Sequence, residues 1–378
     1  MCMKEIGIYI HIPFCVSKCA YCDFYSLPER CQSAEMRTRY VKALVRQFDW
    51  AKKKYGELAV STVFIGGGTP TVLSAELLTE LITALKSRFD LTRNTEFTVE
   101  ANPKTFDKEK LTALLKFGVN RLSIGIQSAN ENELEAIGRI HTFEEAKSAF
   151  DLTRISGFDN ISVDLMYGLP YQTEASFLHS VNEVIKLSPE HISVYGLQLE
   201  EGTPLHKTQN TLPFPSEEES LSMFSKAIML LAENGYRRYE ISNFAKRGYE
   251  SKHNLGYWSQ KEYLGFGSGA YSFFDNARFS TKADVAAFCE CKDFDALITV
   301  DEVLADEDKA KEFVMLSLRL TQGIDVKELF NRTHNAEFIL NKCEPFIKNG
   351  YLKNENGRLF FTEKGFNISN TVLSEILF

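Results

Sequence analysis

The chain has 378 residues, of which 44% are hydrophobic and 25% charged, and its formal net charge is −8. This is the composition of an ordinary soluble globular protein, long enough for two domains or for one large barrel with an appendage. The acidic balance argues against a phosphate-backbone ligand, so we expect no nucleic-acid partner.

The apolar runs are too short to span a bilayer. The opening residues, MCMKEIGIYI, lack the basic, apolar and small-residue pattern of a secretion signal. We therefore expect no membrane span and a cytoplasmic protein.

Short β-rich runs alternate with helical patterns along the first two-thirds of the chain. Each run is rich in β-branched residues and bounded by turn residues, whereas apolar residues between the runs recur every three or four positions. Strands joined by crossover helices predict a parallel sheet with covered faces. The six predicted strands are IGIYIHI (6–12), VSTVFIG (60–66), TEFTVEA (95–101), NRLSIGI (120–126), NISVDLM (160–166) and HISVYGLQLE (191–200).

Polar residues cluster at the ends of these runs. A cysteine loop follows the first run and GGGTP follows the second; Glu100, Gln127, Asp164 and Gln198 lie in or just after the other four. Such positions converge at the carboxyl-terminal mouth of a barrel. An open doubly wound sheet is the alternative, but the first βα turn lacks GxGxxG. The predicted fold class is α/β, a partial (β/α)6 barrel that is open on one side.

The alternation ends near residue 215. A helix is predicted over 216–234, then a stretch rich in glycine and aromatics, and then an acidic connector at 284–308. The last seventy residues predict helices and a hairpin, GYLKNENGRLFFTEKG, typical of a small winged-helix-like α+β domain. Without a basic recognition helix, we interpret it as a packing domain. The predicted domains are 1–240 (barrel), 241–300 (connecting region) and 301–378 (winged-helix-like).

Three cysteines lie within HIPFCVSKCAYCDF (11–24): Cys15, Cys19 and Cys22. Thiolates this close favour a metal or a cluster over a disulfide. Structural zinc generally needs four ligands, and Phe24 stands where a fourth could follow. Three thiolates on a four-iron cluster would leave one iron open to a small molecule. We expect the other cysteines to be isolated thiols: Cys2, Cys31, Cys289, Cys291 and Cys343. The alternative for the pair in CEC, Cys289 and Cys291, is that it binds a metal.

CVSKCAYC, with its CxxxCxxC spacing and an aromatic before the last cysteine, resembles the signature of the radical S-adenosylmethionine (SAM) superfamily. The partial barrel of that superfamily agrees with the strand pattern. HIPFC, FIGGGTPT, EANP, RLSIGIQS, DLMYGLP and HNLGYW resemble one branch of it, which contains the oxygen-independent coproporphyrinogen III oxidases and related haem chaperones.

The resemblance implies that Cys15, Cys19 and Cys22 bind a [4Fe–4S] cluster whose open iron binds SAM. Glycines would let the backbone approach that ligand, although a tight turn before Pro70 would need them too. For the polar residues that match family ligands of SAM, the alternative role is an ordinary hydrogen bond at a strand end. The positions that match family ligands of SAM are Tyr9, Tyr21, Gly67, Gly68, Thr69, Glu100, Gln127, Arg139 and Asp164.

HNLGYW (253–258) resembles a motif associated with haem binding in that branch. His253 would be the axial haem ligand, because neutral imidazole binds iron well. Tyr257 and Trp258 could flank a porphyrin. The alternative is that His253 only hydrogen-bonds a loop and the aromatics belong to the core. The oxidases carry CxxxCxxCxC, whereas this chain has Phe24 in the last position, which puts oxidase activity in doubt.

The resemblance therefore implies a haem chaperone that binds haem, cluster and SAM and passes haem to acceptor haemoproteins. The alternative is a SAM-cleaving oxidase of a tetrapyrrole, with flavodoxin or ferredoxin as electron donor. Transient contact with membrane haemoproteins is compatible with the first. A tRNA-modifying enzyme fits poorly with a net charge of −8.

Overall fold

The computed structural model describes residues 3–377, so Cys2 lies outside the described part of the chain. The first two-thirds alternate strands and helices as the sequence predicts. In chain order the elements are β1 (Lys4–Ile12), β2 (Phe14–Cys15), β3 (Leu27–Pro28), α1 (Ala34–Tyr55), β4 (Leu58–Gly67), α2 (Ala75–Arg88), β5 (Asp90–Ala101), α3 (Lys108–Lys116), β6 (Arg121–Gln127), α4 (Glu131–Ala136), α5 (Phe143–Ile155), β7 (Ile161–Tyr167), α6 (Glu174–Leu187), β8 (His191–Gly196), α7 (Pro204–Lys207) and α8 (Glu217–Glu233).

All six predicted strands form, and they pair in the order β1-β4-β5-β6-β7-β8 with every pair parallel. The sixth ends at Gly196, before the predicted limit at residue 200. The two ends of the sheet order are not paired with each other, so the sheet does not close. The predicted fold class, an α/β partial barrel, is confirmed.

Side chains alternate between the two faces of each barrel strand. In β6, Leu122, Ile124 and Ile126 are buried in the core beneath the helices. Ser123 and Gln127 point the other way and line a cavity inside the barrel. The two-residue period of a strand causes this division. Polar residues set between aliphatic ones therefore reach the barrel interior.

Most helices begin at a side chain that accepts a hydrogen bond from the first turn, which satisfies a backbone N–H that has no partner within the helix. The amphipathic helix α1 begins at Ser33, whose hydroxyl accepts from Met36 N, and it buries Tyr40, Leu44 and Phe48 against the sheet. Later N-caps of this kind include Ser74, Asp107, Thr142, Thr173, Ser216 and Ser251.

Further elements extend the sheet beyond both ends of the predicted barrel. They are β9 (Arg237–Arg238), β10 (Asn243–Ala245), α9 (Lys252–Trp258), β11 (Tyr263–Phe266), β12 (Tyr271–Phe274), β13 (Ala277–Thr281), α10 (Val285–Glu290) and β14 (Ile298–Val303). The sheet then has twelve strands in the order β14-β13-β12-β11-β1-β4-β5-β6-β7-β8-β10-β9. Of the added strands, β11 runs parallel to β1 and the rest pair antiparallel.

The acidic stretch 284–308 is more than the expected connector, because it contains α10 and the edge strand β14. Its acidic side chains face solvent and contact the neighbouring strand: Glu302 pairs with Arg278, and Asp301 accepts from the Ser280 hydroxyl. Charged residues are typical of a sheet edge, where they discourage pairing with other chains. The domain boundaries at residues 240 and 300 stay predictions.

The C-terminal part forms the predicted helices and hairpin around its own small core, which includes Val314, Leu329 and Leu359. The elements are α11 (Asp306–Ser317), β15 (Ile324–Asp325), α12 (Val326–Arg332), α13 (Ala336–Lys348), β16 (Leu352–Glu355), β17 (Arg358–Phe361), α14 (Glu363–Phe366) and α15 (Ser369–Leu377). Its three strands pair in the order β15-β17-β16. Across residues 3–377, no helix combines the length and apolar character needed to cross a membrane.

Candidate functional site

A cavity of about 390 Å³ opens at the carboxyl ends of the barrel strands, and we call it the cysteine cavity. It gathers every predicted site residue except Tyr9 and His253. Its lining is Cys15, Ser17, Lys18, Cys19, Tyr21, Cys22, Phe24, Gly67, Gly68, Thr69, Glu100, Ala101, Asn102, Ser123, Gly125, Gln127, Arg139, Asp164, Met166 and Tyr195.

The three thiols lie on one side of this cavity. Cys15 is buried on β2, and Cys19 and Cys22 are half-buried in the loop that follows. The Thr69 hydroxyl donates to Cys15 Sγ at 3.7 Å, and Arg139 Nη1 donates to Cys19 Sγ at 3.4 Å. Burial raises the pKa of Cys22 to about 11 and also raises the pKa of Cys15. Without a bound cation these two thiols are neutral, whereas iron would hold them as thiolates.

The glycine turn after β4 is required by packing. A Cβ on Gly67, whose φ is +108°, would lie 2.4 Å from His11 Nδ1, and one on Gly68 would lie 2.7 Å from the Phe14 carbonyl oxygen. The Gly67 N–H donates to Glu100 Oε2 at 3.1 Å. The close approach of the segment from His11 to Phe14 thus explains these glycines before any ligand is considered.

Two carboxyl groups from neighbouring parts of the barrel wall face the cysteine cavity. Burial, together with repulsion from Asp164, raises the pKa of Glu100 to about 8. Burial also raises the pKa of Asp164, although hydrogen bonds from serine hydroxyls oppose the shift. Ser123 Oγ lies 3.5 Å from both oxygens of Asp164. Two carboxyl groups in one enclosed space favour a cationic ligand, because it would relieve their repulsion.

Arg139 and Gln127 complete the polar wall. Arg139 Nη2 donates to Asn102 Oδ1 at 2.7 Å and to the Gly125 carbonyl. A Cβ on Gly125 would lie 3.1 Å from Arg139 Nη2, so glycine leaves room for the guanidinium. The buried Gln127 Oε1 has no hydrogen-bond partner among the described residues. Such an acceptor is costly unless a ligand or water donates to it.

These features fit a [4Fe–4S] cluster and SAM. The thiols provide soft ligands for iron, and the carboxyl groups and Gln127 Oε1 provide acceptors for a sulfonium, an ammonium or hydroxyl groups. The role of each residue stays a prediction. Elsewhere, Cys289 and Cys291 have no third partner: among residues 3–377, no group of three or more His, Cys, Asp or Glu is placed to hold a single metal ion.

A second cavity of about 690 Å³ lies beside the first, and we call it the aromatic cavity. The two share Phe24, Gly67, Glu100 and Tyr195 in their linings. The aromatic cavity is lined by Tyr9, His11, Asp23, Phe24, Tyr25, Phe64, Gly67, Glu100, Tyr195, His253, Asn254, Tyr257, Tyr263, Gly269, Tyr271, Ser280, Thr281, Lys282 and Ala283.

Tyr9 lines only the aromatic cavity, whereas all the other predicted SAM residues line the cysteine cavity. Its hydroxyl lies 3.1 Å from His11 Nδ1, and its ring stacks on Phe64 at a centroid distance of 6.3 Å. It reaches this cavity because Tyr9 and His11 alternate along β1 with the core residues Ile8 and Ile10, and so lie on the opposite face of the strand. Direct contact between Tyr9 and a ligand in the cysteine cavity stays a prediction.

His253 lies on α9, whose first turn is held by a buried carboxylate. The backbone N–H groups of Lys252 and His253 donate to the two oxygens of Glu96, each at 3.0 Å. An acidic group is favourable at a helix N-terminus, because the N–H groups there lack partners. Glu96 lies on β5, on the same face as Glu100, so a single strand positions parts of both cavities.

Both nitrogens of the His253 ring already have partners. Nδ1 lies 2.9 Å from Thr62 Oγ1, and Nε2 lies 2.9 Å from the Tyr257 hydroxyl. The ring stacks on Phe64 at 5.2 Å, and the residue is only 3% exposed. Burial lowers the pKa of His253 to about 3, so the imidazole is neutral at physiological pH. The predicted axial ligand thus has the right charge state but no free nitrogen.

Trp258 does not line the aromatic cavity with Tyr257, contrary to the pairing we expected. Its ring lies beneath the Arg319 guanidinium, 5.9 Å away, where α9 meets the C-terminal domain. Seven residues form α9, and consecutive side chains on a helix point about 100° apart, so the two aromatics face different neighbours.

The sequence prediction missed several residues that line the cavities. Asn102, Ser123 and Tyr195 are the clearest, since Ser123 and Tyr195 lie on the inner faces of β6 and β8 and Asn102 directly follows β5. Asn102 is two residues after Glu100, and Tyr195 is two residues after the inward-facing Ser193. The two-residue alternation along each strand was the signal that could have found them.

The sequence matches the Radical SAM superfamily over residues 9–184 and the HemN C-terminal domain over residues 304–368. It is similar in fold to a solved structure of the Escherichia coli coproporphyrinogen III oxidase HemN, described as a radical SAM enzyme. That similarity has a TM-score of 0.86 and covers 99% of this chain and 90% of HemN, at 22% sequence identity.

Curated relatives align over nearly the whole chain. The haem chaperone HemW of Bacillus subtilis (strain 168) is 37% identical, with 98% of each chain covered. HemW of Lactococcus lactis subsp. lactis is 34% identical, covering 100% of this chain and 98% of the relative. HemW of Escherichia coli (strain K12) is 34% identical, covering 95% and 96%. The chain therefore belongs to the HemW family within the radical SAM superfamily.

Proposed function

We propose that this protein is a haem chaperone, which binds haem together with a [4Fe–4S] cluster and SAM and passes the haem to acceptor haemoproteins. The observation that carries this proposal is the end-to-end identity, up to 37%, to proteins named as haem chaperones. A large aromatic cavity beside the cysteine cavity supports it, because it offers a separate place for a second, mostly apolar ligand.

In this proposal Cys15, Cys19 and Cys22 would hold the cluster, which would have one open iron and, when reduced, could supply an electron to bound SAM. The chain's own contribution is to position both groups. Arg139 donates to Cys19 Sγ and Thr69 donates to Cys15 Sγ. The SAM contacts we propose come from the rest of the cysteine-cavity lining: Tyr21, Gly67, Gly68, Glu100, Gln127 and Asp164.

Haem would occupy the aromatic cavity. Aromatic side chains suit the faces of a porphyrin, and the exposed Tyr271 and Lys282 at the rim suit its carboxylate edge. His253 lines this cavity and stays our predicted axial ligand. It can ligate iron only after the Tyr257 hydroxyl leaves Nε2.

A second candidate is oxidation of a tetrapyrrole such as coproporphyrinogen III. The shared wall of the two cavities favours it, because a ligand in the aromatic cavity would lie beside SAM. Against it, Phe24 replaces the additional cysteine of the oxidase pattern and is 65% exposed at that shared wall. We therefore expect no coproporphyrinogen III oxidase activity.

Several partners follow from the chaperone proposal. Flavodoxin or ferredoxin would supply the electron for the cluster. Acceptor haemoproteins would receive the haem, and transient contact with membrane haemoproteins from the cytoplasm is compatible with this role. We predict no nucleic-acid partner.

The test is anaerobic reconstitution with iron, sulfide and SAM, followed by titration with haemin. The loaded protein is then mixed with apomyoglobin, and haem transfer is followed by the change in the Soret band. We expect stoichiometric haemin binding, transfer to apomyoglobin and no conversion of coproporphyrinogen III. Absence of haemin binding would overturn the chaperone proposal, and robust conversion of coproporphyrinogen III would replace it with the oxidase.

A further inference from the structure

Tyr257, four residues after His253 on α9, forms a hydrogen bond with the Nε2 atom of the His253 ring. The Tyr257 hydroxyl lies 2.9 Å from Nε2, and the two rings pack edge to face at a centroid distance of 4.9 Å. Thr62 Oγ1 lies 2.9 Å from Nδ1. A ligand that needs Nε2 must therefore displace Tyr257, whereas Thr62 can stay in place.

Tyr257 also lines two separate cavities. Its side chain lines the aromatic cavity and a smaller cavity of about 290 Å³ on its other side, which Gln260, Phe273 and Arg278 help to form. The ring packs edge to face on Tyr263, 4.7 Å away, and Tyr263 lines both cavities too. His253 lines the aromatic cavity but not the smaller one, so a turn of the Tyr257 ring toward the smaller cavity would carry it away from His253.

We propose that Tyr257 regulates haem binding by competing with haem iron for His253 Nε2. This inference rests on the proposed haem chaperone function and deepens it. In the closed state the Tyr257 hydroxyl donates to Nε2. On haem binding that hydrogen bond breaks, the Tyr257 ring turns toward the smaller cavity, and the Nε2 lone pair forms a coordinate bond to iron.

The exchange requires the tautomer of His253 that carries its proton on Nδ1, and Thr62 Oγ1 can accept a hydrogen bond from that N–H. With the proton on Nδ1 and donated to Thr62 Oγ1, the Nε2 lone pair is free for either the Tyr257 proton or iron. No proton is gained or lost by the imidazole in the exchange. Tyr257 thus controls access to the ligand atom, and Thr62 positions it.

Tyr257→Phe tests the competition, because it removes the hydroxyl and keeps the ring. We expect the reconstituted variant to bind haemin about two- to tenfold more tightly, since a neutral hydrogen bond no longer has to be broken. Thr62→Val should bind haemin no more tightly than the parent. Tyr236→Phe is the matched control: it removes a buried tyrosine hydroxyl that donates to the Pro189 carbonyl, and we expect parental affinity.

A readout without haem comes from ¹⁵N NMR of the imidazole, assigned with His253→Ala. Tyr257→Phe should shift the Nε2 resonance and Thr62→Val the Nδ1 resonance. Unchanged affinity in Tyr257→Phe, with haem bound through His253, would overturn the competition and leave the chaperone function standing. Unchanged haem spectra in His253→Ala would overturn it as well, by placing the iron ligand elsewhere. No haemin binding by the parent would overturn both proposals.

Discussion

The two cavities share a wall but differ in how their polar groups are satisfied. In the cysteine cavity Gln127 Oε1 has no described partner, and the carboxyl groups of Glu100 and Asp164 repel each other. In the aromatic cavity both ring nitrogens of His253 have hydrogen-bond partners. The His253 backbone N–H also has a partner, because it donates to the Glu96 carboxylate.

The difference separates two ways of preparing a site. Unsatisfied groups in the cysteine cavity cost stability until a ligand arrives, so ligand binding there relieves an existing penalty. The hydrogen bonds around His253 are already satisfied, so they carry no such penalty on stability until a ligand breaks one of them. We therefore expect substitutions in the cysteine cavity to weaken ligand binding while relieving this penalty on stability, and substitutions around His253 to change both stability and haem access.

The largest expected effect is loss of the cluster in Cys19→Ala, because two thiolates cannot hold it. Iron and sulfide content after anaerobic reconstitution measures this. Cys31→Ala is the control, since Cys31 is exposed on the turn before α1 and outside the cysteine cavity. A Cys19→Ala protein with full iron and sulfide would show that the cluster ligands lie elsewhere.

The next effect concerns SAM alone. Glu100→Gln and Asp164→Asn should each weaken SAM binding roughly ten- to a hundredfold, the cost of losing a charge-assisted hydrogen bond. Anaerobic equilibrium dialysis measures the affinity, and iron content should stay near normal. Asp151→Asn, at an exposed position on α5, is the control. Parental affinity in both cavity variants would reduce these carboxyl groups to a structural role.

His253→Ala moves the test to the aromatic cavity. We expect weaker haemin binding or shifted haem absorption bands, because loss of an axial ligand changes the field at the iron. The cluster should survive, since its cysteines lie on a different loop. If the haem spectrum and affinity match those of the parent, His253 serves only the hydrogen-bond network in which the structure places it.

The two cavities also differ in how much of each could be predicted from the sequence. The cysteine cavity was predictable because its residues lie at strand ends, which the parallel fold brings together. The partners of His253 were not: Thr62 and Glu96 are 191 and 157 residues away in sequence. No local pattern encodes such contacts, since they depend on which strand lies beneath α9.

The added strands and the glycine turn show the same limit. The acidic sequence of β14 predicts solvent exposure, which is correct, but exposure does not distinguish an edge strand from a connector. The glycines at 67 and 68 suggested a ligand, whereas His11 and Phe14 already require them. Sequence patterns located these residues correctly and left their physical cause open.

A smaller effect is the pH-dependent cost of Glu100 in the protein without cofactors. The pKa of Glu100 is raised to about 8, so the protonated carboxyl stabilises the fold. That contribution is full below the unfolded pKa near 4.5 and is lost as the pH rises toward 8. Glu100→Gln should therefore be more stable than the parent at pH 7.5, by roughly 1–4 kcal/mol, with the lower figure applying if water enters the cavity. Thermal melts at pH 5 and 7.5 measure the gain, which should shrink to about 1 kcal/mol or less at the lower pH.

The smallest effect has the opposite pH dependence and belongs to the aromatic cavity. The pKa of His253 is lowered to about 3 by burial, so the folded state excludes the proton that the unfolded chain accepts near pH 6.5. The stability contribution is full above pH 6.5 and falls as the pH drops below it. At pH 5.5 the loss is about 1.4 kcal/mol for this histidine.

His253→Gln isolates this effect, because glutamine keeps polar atoms in the site but does not titrate. Its free energy of unfolding should fall less steeply than that of the parent between pH 7 and 5. His191, equally buried and bonded to Ser162 and Tyr239, remains in both proteins and contributes the same acid loss to each. Equal slopes in denaturant melts across this range would mean that His253 becomes protonated in the folded state. The Tyr257 hydroxyl would then be accepting from Nε2, and the imidazole would have no lone pair to offer to iron until it lost that proton.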